Sequence, residues 1–206
     1  MSAELRHHSV QHFLDQLASA TPTPGGGSVA ALTGALAAGL ITMVCDLTIG
    51  RPRYAEFDAQ AQTIRTTAEA ARARLTDLIQ GDIAAYQGVA AAYKIAKDDP
   101  SRPAAIVAAT VIATDTPLEI AELAATLLPL CAPLAAHGNR TAVGDVAAGA
   151  HLAVAAVEAA LINVTANLPT LATHPRHAEF VARHAAARHN LDVQRDAAVA
   201  AATARM

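Results

Sequence analysis

From Val29 to Cys45 the chain runs for seventeen residues without a charged side chain. Such a run must be taken out of water, by lipid or by other helices. Its length sits at the short edge of what spans a bilayer. It is mostly Ala, Gly and Thr, which insert weakly, and Asp46 follows at once. The reading adopted is a buried core helix rather than a membrane span. The rest of the chain has the same character, with 53% hydrophobic residues, 16% charged, 3% aromatic and no Trp. That balance excludes disorder. Alanine forms helices readily and lets them approach closely, but it removes little area from water per residue. The 206 residues are therefore expected to form one tightly packed helical domain, residues 1–206. A mean hydropathy of +0.28 further predicts that some apolar helices are covered by a second copy.

Alternating β-branched runs of useful length are absent, whereas helix signals recur throughout. Residues 4–19 predict a short amphipathic helix with Val10, Phe13, Leu14 and Leu17 on one stripe. The run Thr21-Pro22-Thr23-Pro24-Gly25-Gly26-Gly27 breaks it, and Ser28 is placed to cap a helix reaching Ile49. A long helix is expected from Tyr54 to Lys97, with Gly81 as a bending point, and another begins at Pro103. Pro117 reads as the start of a further helix to His137, kinked at Pro129 and Pro133. Thr141–Leu168 and Pro175–Ala204 complete the set. The expected fold class is all-α, an antiparallel Ala-rich bundle of about seven helices that dimerises through apolar helices.

Net charge is −3 and no Lys/Arg stripe exists to neutralise a phosphate backbone, so nucleic acid is not an expected partner. Cys45 and Cys131 lie far apart in sequence and read as reduced thiols. The stretch Met1–His8 lacks the apolar core of a signal peptide, so a cytoplasmic protein is expected. His8 with His12, and His174 with His177, have helical spacing. No Cys or carboxylate completes a ligand set around them, and no metal is expected.

Three glycines ahead of an apolar helix raise the question of a phosphate cradle. Neither G-x-G-x-x-G nor a P-loop lysine is present and no strand precedes them, which argues against a nucleotide site. Two readings stay open. One is a turn that needs glycine for its backbone; the other is a backbone-lined ligand pocket with Ser28 at its lip.

The segment Pro22-Thr23-Pro24-Gly25-Gly26-Gly27-Ser28-Val29-Ala30-Ala31 closely resembles the signature of the cyclodeaminase domain of formiminotransferase-cyclodeaminases, a family that includes stand-alone methenyltetrahydrofolate cyclohydrolases. The likeness continues through Gly34–Ala38 and Leu47–Tyr54. It is seen again at Asp82-Ile83-Ala84-Ala85-Tyr86 and at Ala113–Leu118, which resembles a helix start of the family. Gly138-Asn139, Gly144-Asp145 and Asn163–Leu168 close it, so that residues 5–190 are covered in register. Members of that family usually have Ser where Gly144 stands here.

The resemblance implies a one-carbon enzyme whose carrier and substrate is tetrahydrofolate, most directly a cyclohydrolase that adds water to the 5,10-methenyl bridge. A cyclodeaminase releasing ammonia, a non-catalytic folate-binding module, and an enzyme using another formimino or formyl compound are the alternatives. Such chemistry passes through a tetrahedral carbon beside a cation, and calls for an anion, a proton shuttle and hydrogen-bond donors. Asp82, one turn from Tyr86, is the first choice for the anion and Asp145 the second. A buried carboxylate there would titrate high and could serve as acid or base. Pro24, Gly25, Gly26, Gly27 and Ser28 are expected to line the pocket. Tyr86, Asn139, Asn163 and Asn167 are expected to contact substrate. Arg51 and Arg53 are expected to grip the glutamate carboxylates of folate, with Lys94, Lys97 and Arg102 as weaker alternatives. His137 is a candidate proton shuttle. Asp145, Gly149, Leu152, Ala156, Asn163 and Asn167 fall on one helical stripe, but Asp145 and Asn163 are about 27 Å apart along it and cannot share a contact.

Overall fold

The computed structural model describes residues 7–206. Among them it contains eight α-helices, α1 Val10–Leu17, α2 Gly26–Thr48, α3 Asp58–Lys94, α4 Arg102–Ala125, α5 Leu128–His137, α6 Val143–Asn167, α7 His177–Ala187 and α8 Leu191–Thr203. Short 3-10 turns occupy Pro52–Phe57, Arg140–Ala142 and Leu168–Leu171, and no strand is present in the described residues. Residues 1–6, and with them most of the stretch read for a signal peptide, lie outside the described residues.

Helices α2, α3, α4 and α6 form the centre, with α2 packed between α3 and α6 and α4 closing the far side. Small residues set the spacing. A side chain at Gly34 would meet Leu75 of α3 at 3.1 Å and Ala156 of α6 at 3.5 Å, so α2 can nest between both neighbours only because it carries hydrogen there. Gly149 of α6 similarly faces the carbonyl of Ala37 at 3.4 Å. The contact pairs Ser28–Asp82 and Asp46–Arg65 run α3 antiparallel to α2, and Gly26–Asn163 with Ala37–Gly149 do the same for α6. Helices α5 and α8 pack on each other and on α6, while α7 lies along α4.

Several expectations about element ends are corrected. Helix α4 runs straight through Pro117 and ends only at Ala125, after which α5 begins at Leu128. Proline cannot supply the N–H that the carbonyl of Ala113 would receive. That carbonyl instead accepts the side-chain amide of Asn167 at 2.8 Å, which allows the helix to continue. Segment 113–118 is thus helix interior and not a helix start. Gly81 does not interrupt α3, which is one continuous helix of 37 residues. The last predicted helix divides into α7 and α8 at Asn190, whose φ of 58° is the left-handed region that Asn tolerates better than most residues. Asp115 on α4 receives Arg176 at 2.6 Å and Arg183 at 2.8 Å and holds α7 in place.

Three segments, Gly26–Thr48, Arg102–His137 and Arg140–Leu171, are long and apolar enough to cross a membrane by length and composition. Within the fold, half or more of each apolar window is buried against other helices. On α2 the remainder forms an outward stripe in which Leu36 is 54% exposed, Met43 40% and Leu47 37%.

Candidate functional site

Helix α2 begins at Gly26 because Gly25, extended at φ −128°, ψ −160°, turns the chain into it. Ser28 therefore lies inside the first turn and is not the cap. Its fully buried hydroxyl donates instead across to α3, with the carbonyl of Ile79 at 3.1 Å and Oδ2 of Asp82 at 2.9 Å as its acceptors. Gly27 presses against the same carboxylate. A Cβ there would stand 2.5 Å from Asp82 Cγ and 2.9 Å from Oδ2, so the carboxylate occupies the volume a side chain would need. Gly26 faces α6 on the other side, with Asn163 Nδ2 at an ordinary contact distance of 3.7 Å from where its Cβ would be. Pro24 is buried beneath this turn.

Burial pushes the Asp82 carboxyl above the ordinary aspartate range, and the Ser28 hydroxyl and backbone amide offset part of that by favouring the ionised form. The arrangement is a half-sequestered carboxylate held at the foot of a glycine turn, able to exist in both protonation states nearer neutrality than a surface aspartate. Tyr86, 43% exposed, stands one turn further along α3. Asn163 donates to the carbonyl of Ala159 at 3.0 Å, and Asn167 to Ala113 as described. The structure thus joins Pro24–Ser28, Asp82, Tyr86 and Asn163 at one end of α2, with Asn167 one turn beyond on α6. The carbonyls of Ile79 and Ala113 belong to this end as well. Neither was legible, because backbone acceptors carry no sequence signal.

The other expected residues lie at the opposite end of α2, roughly 35 Å away for a helix of 23 residues. Arg51 and Arg53 flank Pro52 on the 3-10 turn that follows α2, with Arg53 stacked against the Tyr54 ring at 5.9 Å. Asn139 ties that end together. Its backbone N–H donates to Thr48 at 2.9 Å, its amide donates to Leu47 O at 2.9 Å, and its Oδ1 accepts from Thr141 N at 3.0 Å. Asp145 sits in the first turn of α6, where a helix N-terminus favours a carboxylate. Gly144 is there too, 3.4 Å from Met206 at its would-be Cβ, and His137 tilts against Phe57 at 5.4 Å. Within one protomer, then, Asp82 is not joined by Asp145, Asn139, His137, Arg51 or Arg53. Gly144, where the resemblance leads to an expectation of serine, falls at the end remote from Asp82.

Cys45 and Cys131 are buried free thiols, both pushed up to about 12 chiefly by burial, and neither faces the glycine turn. Among the described residues no group of three or more His, Cys, Asp or Glu is arranged to hold a metal ion.

The chain has counterparts among known proteins. Residues 9–186 match the model of the formiminotransferase-cyclodeaminase family. The chain is 36% identical over 165 residues to the methenyltetrahydrofolate cyclohydrolase of Methylorubrum extorquens, a match covering 78% of this chain and 79% of that protein. It is 34% identical over 168 residues to the formimidoyltransferase-cyclodeaminase of Sus scrofa, covering 80% of this chain but only 31% of that longer protein. The solved structure of formiminotetrahydrofolate cyclodeaminase from Thermotoga maritima superposes with a TM-score of 0.88 over 98% of both chains at 24% identity, which establishes the shared fold. The chain belongs to the formiminotransferase-cyclodeaminase family.

Proposed function

We propose that this protein is a folate-dependent methenyltetrahydrofolate cyclohydrolase, converting 5,10-methenyltetrahydrofolate and water to 10-formyltetrahydrofolate. The observation that carries the reading is the half-buried Asp82 carboxylate, fixed by Ser28 at 2.9 Å and pressed on Gly27. An anion in that position attracts the methenyl cation and is basic enough to activate water.

The reaction runs in two steps. Water adds through oxygen to the bridging carbon, Asp82 takes one of its protons, and the electron pair of the C=N bond returns to nitrogen. In the second step the carbon–N5 bond breaks and N5 takes the proton held by Asp82. The hydroxyl proton leaves as the formyl C=O forms, so one proton is released overall. Gly26, the exposed first residue of α2, offers a backbone amide suited to steady the developing oxygen charge. Asn163, on the other side of the glycine turn, and Tyr86 border the space a pterin would fill.

The name and coverage of the bacterial relative favour the cyclohydrolase. The fold shared with the Thermotoga maritima protein keeps formiminotetrahydrofolate cyclodeaminase as the second reading. Supplying each substrate separately decides between them: the proposal expects formyl product from the methenyl compound, and ammonia released from 5-formiminotetrahydrofolate at a comparable rate would replace it.

A cytoplasmic homodimer is part of the proposal. The outward stripe Leu36, Met43 and Leu47 of α2 has no cover within one copy. Two copies paired along antiparallel α2 helices would carry Arg51 and Arg53 of one toward the glycine turn and Asp82 of the other.

A further inference from the structure

Below Asp82, one stripe of α3 packs on α2. Leu75 meets Gly34, the carbonyl of Ile79 receives Ser28, and Asp82 lies on Gly27 and Ser28. Helix α2 starts at Gly26, whereas α3 continues twelve residues past Asp82 to Lys94. The same stripe therefore runs on without α2 to cover it. At helical spacing the residues that continue it are Tyr86, Val89 and Tyr93. Tyr86 is 43% and Tyr93 52% exposed, on an arm formed by the end of α3 and the start of α4.

The arm ends in positive charge. The Arg102 guanidinium lies 5.6 Å from the centre of the Tyr93 ring and donates to the Tyr93 carbonyl at 3.3 Å, and its Nε is buried with no hydrogen-bond partner. Lys94 and Lys97 stand on the same turn of chain. Of the two nearby aspartates, Asp99 accepts the Ser101 amide at 2.8 Å and its hydroxyl at 2.7 Å, which directs it into the turn.

The ledge thus presents a carboxylate, a tyrosine one turn up, a second tyrosine about 16 Å from the carboxylate along the helix, and an arginine over that second ring. This order matches a reduced folate laid lengthwise, with cationic bridge, aromatic ring and terminal carboxylates in sequence. We propose that the exposed stripe of α3 from Asp82 through Tyr86 to Tyr93 is the binding track for the p-aminobenzoyl-glutamate part of the substrate, and that Arg102 receives its α-carboxylate. The inference rests on the folate reading above and assigns the tail to the same protomer as Asp82. Aromatic rings stack on the tyrosines, and a guanidinium pairs with a carboxylate in two parallel bonds.

The test uses the full chain with 5,10-methenyltetrahydrofolate and with the same methenyl pterin lacking glutamate, measuring direct binding as well as kcat and KM. The native protein is expected to prefer the glutamate-bearing compound. Arg102→Gln should raise its KM about tenfold, to the level of the tail-less compound, while kcat holds. Tyr93→Ala should raise KM in the same way, and Tyr93→Phe should not. The track is overturned if native protein prefers the glutamate-bearing compound but Arg102→Gln leaves its KM unchanged, or if the preference is lost only in Arg53→Gln. Tail-dependent, Arg102-dependent binding without turnover would sink the cyclohydrolase reading and leave the track standing. Absence of both binding and turnover removes both.

Discussion

The side-chain position of Gly27 is occupied by the carboxylate of Asp82, whose Cγ lies 2.5 Å from where a Cβ would be built. Two effects of opposite sign meet in Gly27→Ala. Alanine is favoured over glycine inside a helix by about 1 kcal/mol, and forcing a methyl into a filled site costs about 1–3 kcal/mol. Because the obstacle is a hydrogen-bonded carboxylate, the second effect wins. The variant is expected to fold with a loss of about 1–2 kcal/mol in chemical denaturation. It should lose at least about a hundredfold in kcat, since the carboxylate must leave its place. Full activity in this variant would show that the position of Asp82 is unimportant.

Asp82→Asn removes a charge that burial disfavours. The folded-state titration of Asp82 lies above the ordinary value of 3.8, so its contribution favours folding below that pH and is lost as pH rises through the raised value. At neutral pH the ionised group therefore opposes folding. The variant should melt at a higher temperature than the native protein at pH 7. That gain should vanish near pH 3, where aspartate is protonated in both states. A lower melting temperature at pH 7 would contradict the assignment.

Asn167 and Pro117 should be coupled energetically. Asn167→Ala strands the carbonyl of Ala113 and is expected to cost about 1–3 kcal/mol. With Pro117→Ala in place, the backbone N–H of residue 117 can reach that carbonyl, and the same Asn167 change should cost less by about 1 kcal/mol. A double-mutant cycle by denaturant unfolding measures the difference; strict additivity would refute the pairing.

Charge placed on the outward stripe of α2 tests the homodimer. Leu36→Glu with Met43→Glu, which sets like charges against each other across an antiparallel pair, should convert the protein to monomers at micromolar concentration in analytical ultracentrifugation. An unchanged sedimentation coefficient would place the interface elsewhere.

Much of this was legible in the residues. The glycine run marked the turn, the spacing of Asp82 and Tyr86 put both on one side of α3, and the uncharged run of α2 required burial. Other features were not, for reasons that lie in tertiary structure. Pro117 reads locally as a helix start, and only an amide fifty residues later, on α6, lets α4 pass through it. Ser28 has the composition of a cap, but Gly25 turns the chain earlier and α3 supplies the serine with acceptors. The division of the last helix carries a weak local signal, since Asn190 is a residue type that accepts positive φ. Arg51 and Arg53 belong to motifs of the same family as Asp82, yet resemblance in order says nothing about distance. A straight α2 separates them from it.

The account stands or falls on catalysis by Asp82, followed most directly as loss of the near-ultraviolet absorbance of 5,10-methenyltetrahydrofolate. The native protein should hydrolyse it far above the spontaneous rate, and Asp82→Asn should fall by about a thousandfold, within the range for loss of a general base. Hydrolysis by Asp82→Asn at the native rate, or none above background by the native protein, would contradict it.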